Sequence, residues 1–72
     1  MAQRTPEETE ALTTSLEARR QAHLGDAAYY RGRAADADEA DVRAAYEREA
    51  TDAHGRAARR ARNIADVRAG RD

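Results

Sequence analysis

A chain of 72 residues forms one domain at most, and at that size only about 60% of the unfolded surface can be buried on folding. Its 13 basic residues are all arginine and stand against 14 acidic ones, so with a net charge of −1 there is no overall cationic field to draw it to nucleic acid or an anionic membrane. The absence of cysteine excludes a disulfide framework and thiolate metal sites.

The hydrophobic fraction of 40% is mostly alanine. Inside the chain, the side chains that bury substantial area are Leu12, Leu16, Leu24, Tyr29, Tyr30, Val42, Tyr46, Ile64 and Val67. At roughly 1.5–3 kcal/mol for each large side chain fully buried, these make a thin core, and a lone copy is expected to be marginal. The abundance of alanine and arginine without lysine fits a gene of high GC content and says nothing about function.

From Met1 to Pro6 no apolar run precedes the first acidic residues, so neither a signal peptide nor a membrane span is expected, and cytoplasmic residence in a bacterium or a phage-infected cell is the default. Thr5-Pro6-Glu7-Glu8 is a dense helix-start signal: Thr5 as N-cap, Pro6 at the first helical position, and Glu8 closing a capping box. From there to about residue 35 the chain favours helix, with Leu12, Leu16, Ala27, Tyr30 and Ala34 on one face and Arg20 and His23 filling the same stripe between Leu16 and Ala27.

The acidic stretch from Ala35 to Asp41 interrupts the pattern and predicts a turn at about 35–39, because short acidic side chains compete for backbone N–H groups. Asp36 with Glu39, or Asp38 with Asp41, is placed to cap a second helix running from about 39 to 69. That helix carries Val42, Tyr46, Ala50, Ala53, Ala57, Ala61, Ile64 and Arg68 on one face and ends at Gly70. The predicted fold is all-α: an antiparallel two-helix hairpin, completed into a helical bundle by dimerisation or by docking on a partner. The alternative layout has three helices, with Leu24-Gly25-Asp26 as a C-terminus followed by a new N-cap.

A turn near residue 36 sets Leu12 against Ala61, Leu16 against Ala57 and Ala27 against Tyr46, large residues meeting small ones. The same register lays Glu7, Glu8, Glu10 and Glu17 beside Arg56, Arg59, Arg60 and Arg62.

The stretch Leu24-Gly25-Asp26-Ala27-Ala28-Tyr29-Tyr30-Arg31-Gly32 resembles the first helix of a tetratricopeptide repeat, and Ala45-Tyr46-Glu47-Arg48-Glu49-Ala50 looks like part of its second. The resemblance covers about a third of the chain and implies a short helical pair. The second half lies several residues too far downstream, and the closing proline is missing.

No nucleophile with a base, glycine-rich phosphate loop or paired carboxylates can be assembled, so neither an enzyme nor a cofactor is expected. The preferred reading is a small protein acting through protein–protein contact, of adaptor, regulator or inhibitor type, as a homodimer or on another protein. Its anchors would be Leu12, Leu16, Tyr30, Tyr46 and Ile64. The alternative is a nucleic-acid accessory protein using Arg56, Arg59, Arg60 and Arg62; the competing structural role for those arginines is to neutralise the acidic first turns of the opposing helix and the negative end of their own. His23 and His54 lie about a turn apart in this hairpin and suggest a weak metal or ligand site, although their spacing matches neither His-x-x-x-His nor Glu-x-x-His.

Overall fold

In the computed structural model, which describes residues 4–72, the chain is a helical hairpin; Met1, Ala2 and Gln3, the start of the segment read for a leader, lie outside the described residues. Helix α1 spans Pro6–Asp36 and helix α2 spans Ala40–Ala69. The hairpin measures 53 × 16 × 12 Å, and its radius of gyration of 16.2 Å exceeds the roughly 11 Å of a compact domain this long. Among the described residues, no helix is long and apolar enough to cross a membrane.

The start of α1 follows the sequence signal. The Thr5 side chain accepts from the Glu8 backbone N–H at 3.1 Å, and the Thr5 N–H donates to Glu8 Oε1 at 3.0 Å. Two of the orphan donors of the first turn are thereby satisfied. Beyond it α1 runs without interruption to Asp36, so among the described residues there is no third helix and no short repeat-like pair. A Cβ built at Gly25 or Gly32 meets nothing within 4 Å, which makes each glycine a helix-weakening residue with no packing purpose. The tertiary seam on either side holds the helix through both.

The turn departs from expectation in its capping. Glu39 is the N-cap of α2 and makes no side-chain cap hydrogen bond, so neither Asp36 nor Asp38 takes that role. Asp41 turns to its neighbour, accepting from the Val42 N–H at 3.0 Å. Closure comes from Arg43, whose Nη2 donates to the Ala37 carbonyl at 3.0 Å and ties the second helix to the end of the first. At the far end Gly70 adopts φ 72°, the left-handed conformation glycine takes at no steric cost, and its N–H reaches the Asp66 and Val67 carbonyls.

Burial along both helices advances by alternating steps of four and three. On α1 the positions on this course run Thr9, Thr13, Leu16, Arg20, His23, Ala27, Tyr30 and Ala34, and on α2 Tyr46, Ala50, Ala53, Ala57, Arg60, Ile64 and Val67; Leu12, Glu17 and Leu24 of α1 and Ala44, His54, Arg56 and Asp66 of α2 are half-covered beside it. This is the 3.5-residue period of a coiled-coil seam, which stays on its partner when two helices wind around each other with a left hand. It corrects the second stripe. Ala61 and Arg68 are exposed, and Arg60 and Val67 occupy the seam in their place; Val42 also falls outside it, at 39% exposure.

Among the described residues, five of the eight buried apolar ones are alanine: Ala27, Ala34, Ala50, Ala53 and Ala57. The larger members, Leu16, Ile64 and Val67, form one cluster towards the open end, with Leu12 packed against it. Leu16 thus belongs with Ile64 and Val67 and not with Ala57, because the loop is centred near residue 38 instead of 36 and α2 sits further along α1. Thr13 is buried with them because its hydroxyl donates to the Glu10 carbonyl at 3.0 Å, leaving a methyl to face the seam.

Replacing both exposed helix glycines, Gly25→Ala with Gly32→Ala, should stabilise the hairpin by about 0.5–1 kcal/mol per site. At roughly 4–8 °C per kcal/mol for a domain this small, thermal melting followed by circular dichroism should rise by several degrees. A lower Tm would show that α1 needs a break at these positions.

Candidate functional site

Two surface features stand out, one at the turn end and one midway along the hairpin. At the turn end the three tyrosines form a chain of contacts. Tyr29 and Tyr30 meet edge to face at 5.3 Å between ring centroids, and Tyr30 stacks on Tyr46 at 6.3 Å with an interplanar angle of 27°. The Arg33 guanidinium carbon lies 5.6 Å from the centre of the Tyr46 ring, within cation–π range. Tyr30 and Tyr46 are half-buried because they occupy the seam, whereas Tyr29, one position off it, is 60% exposed. With Val42 it is one of the two large apolar side chains left in solvent among the described residues.

Of the other proposed contact residues, Leu16 and Ile64 are buried between the helices at 7% and 6% exposure, and Leu12 is half-buried beside them. Those three hold the hairpin itself together. Tyr29 and Val42 were not singled out as anchors in the sequence, and the signal that could have found them is the strict four-three period, which leaves both off the seam.

Midway along, His23 of α1 and Arg56, Arg59, Arg60, Arg62 and Asn63 of α2 line an open cleft of about 300 Å³. Its seam residues are His23 from α1 and Arg60 from α2, both half-buried. Among the described residues the ion pairs are Arg4 with Asp72, Arg20 with Glu17, and Arg71 with Asp66. None involves the four clustered arginines. The expected neutralisation by Glu7, Glu8, Glu10 and Glu17 is therefore not made. Glu8 is held by Thr5, and Glu17 accepts from Arg20 at 2.6 Å and from Gln21 at 3.0 Å. The shift in register accounts for this, since it carries the acidic first turns of α1 towards the end of α2, where Arg4 donates to Asp72 at 2.7 Å.

The two histidines have different neighbours. His54 Nε2 accepts from Arg31 Nη1 at 2.9 Å, whereas His23 lies against the arginine cleft with its buried Nδ1 unpartnered by any described residue. Among the described residues no three His, Cys, Asp or Glu side chains gather as a metal-binding group.

The chain matches no protein-family model, and no curated protein or solved structure shows significant similarity to it.

Three carboxylates titrate below their ordinary ranges. Hydrogen bonding by Arg4 lowers Asp72; bonding by the Thr5 backbone, then its side chain, lowers Glu8; and the Gln21 amide, followed by Arg20, lowers Glu17. Because each is lowered by folding, its contribution is present above the unfolded values, 3.8 for Asp and 4.5 for Glu, and is lost as pH falls through the lower folded values. The Tm should therefore be flat above about pH 5 and fall on acidification to about pH 2, with a shallower fall in the variant Glu17→Gln with Asp72→Asn. An identical acid limb in variant and wild type would show that these contacts add nothing to the fold.

Proposed function

We propose that this hairpin is a non-catalytic protein–protein interaction module whose contact surface is the tyrosine-bearing turn end, and that it pairs there with a second copy of itself. The observation that carries the reading is the burial pattern: no large side chain is fully buried among the described residues, while Tyr29 and Val42 stand in solvent next to the half-covered Tyr30 and Tyr46. Tyrosine and arginine are the side chains that dominate interface energetics, since each combines large area with a polar tip. A second copy is a chemically suitable occupant, because a two-fold interface needs a self-complementary patch. Tyrosine stacks on tyrosine from either side, and Arg33 supplies a cation for a facing ring. Two such hairpins side by side would form a four-helix arrangement that supplies the burial one hairpin lacks.

Sedimentation equilibrium at tens of micromolar should give twice the 7.9 kDa chain mass. The double variant Tyr29→Ser with Val42→Ser alters only exposed positions, so it should keep its helical signal and sediment as one chain. A wild-type mass of 7.9 kDa across this range removes self-association from the reading.

A further inference from the structure

Charge is divided sharply along α2 and its flanks. Residues 37–55 hold six acidic residues and two arginines, whereas residues 56–72 hold six arginines and two aspartates. The near-neutral whole conceals this division. Within the basic half, Arg56 and Arg60 are spaced i,i+4, and Arg56 with Arg59 and Arg59 with Arg62 are spaced i,i+3. Like charges at these spacings each oppose the helix. Compensation is partial: Asp52 stands i,i+4 from Arg56 and Asp66 i,i+4 from Arg62, but no described ion pair reaches any of the four, and the cleft they line adds the neutral donor Asn63 and the ring of His23 but no carboxylate. Such a cluster is suited to an anion from outside.

The lining decides which kind. Apart from the imidazole of His23 it contains no aromatic side chain, and it contains no aliphatic one, so an acidic peptide would find charge there but none of the dry core on which protein interfaces rest. A membrane surface is equally ill-suited: Ile64 and Val67, the large apolar residues of this part of α2, face the seam, leaving nothing to insert among lipid tails. From Arg56 to Arg62 the helix rises about 9 Å. That is longer than one phosphate group; projected on the axis of a duplex, where the charges of one strand recur about every 3.4 Å, it covers two to three phosphates. Single-stranded binders depend on aromatic platforms to stack bases, and the tyrosines here lie at the turn end, away from the cleft.

We infer that the cleft between His23 and the Arg56, Arg59, Arg60, Arg62 and Asn63 face of α2 is a docking site for the phosphate backbone of double-stranded nucleic acid. Arginines positioned in this way neutralise phosphates and release condensed counterions, which gives sequence-independent affinity with a steep salt dependence. Asn63 adds a hydrogen bond of the kind that fixes orientation on the backbone without reading bases. The site uses neither Tyr29 nor Val42, so it stands or falls separately from self-association.

The test is fluorescence anisotropy of a labelled 20-base-pair DNA duplex titrated with the full chain at about 50 mM salt, then at increasing salt. Contact of three to four arginines with phosphates gives a log–log slope of affinity against salt of about −3. Changing Arg56, Arg59, Arg60 and Arg62 together to Gln should weaken binding more than tenfold, and changing all four to Lys should largely preserve it. Arg31→Gln with Arg48→Gln, outside the cleft, should change it less than about twofold. Circular dichroism of each variant separates loss of binding from loss of fold. The inference is overturned by no saturable binding at low salt, by unchanged affinity in a folded four-Gln variant, or by equal binding to phosphatidylserine vesicles. It is equally overturned if inorganic phosphate competes as well as the duplex at equal phosphate concentration, since the cleft would then be a small-anion site.

Discussion

The close approach of two long helices along an alanine seam is the constraint on which the rest of the molecule depends. Ala27, Ala34, Ala50, Ala53 and Ala57 are buried because their small side chains let the backbones come together, and that proximity covers the middle of the hairpin without large residues. The consequence is a division of labour along its length. Bulky aliphatic residues gather at the open end, tyrosines at the turn, and the centre admits polar groups, among them Arg20, half-buried with its guanidinium on Glu17, and His23, whose Nδ1 stays buried.

The same constraint shapes both surface features. An alanine seam is shallow, so side chains one position off it are left in solvent, which is why Tyr29 is exposed although its neighbour Tyr30 is half-covered. Where the seam holds His23 from α1 and Arg60 from α2 in place of bulky aliphatic residues, an open cleft remains, and the arginines on that edge become its walls. A seam of leucines would fill this space and bury more area, making a more stable hairpin with less surface to offer a partner.

Electrostatics follows register more than composition. A loop centred two residues later than the sequence suggests moves α2 along α1 enough to bring Arg4 to Asp72, and to leave the basic run 56–62 facing a histidine instead of glutamates. Contacts that look mutually satisfying on a helical diagram are thus exchanged for local ones: Glu8 with its own cap, Glu17 with Arg20 and Gln21, Asp66 with Arg71.

The sequence by itself determined the helical class, the hairpin topology, the capping box at Thr5, the turn to within a residue or two and the glycine stop at Gly70, because these rest on local chemistry that short stretches carry in full. It also showed the first-helix stripe from Leu16 to Ala34, but placed Leu12 on it where Thr9 and Thr13 lie, because a buried threonine is recognised only once its hydroxyl is seen to bond its own helix, as that of Thr13 does. The choice between Ala61 with Arg68 and Arg60 with Val67 lay beyond it, since both sets have helical spacing and alanine looks the better core residue. Packing favoured the second set because Val67 completes a cluster with Leu16 and Ile64, and an arginine stem can lie on a seam while its charge reaches water. Register, the unpaired arginines and the exposed tyrosine were decided only in three dimensions, because each depends on where one helix lies along the other, a quantity set by the summed fit of many weak contacts.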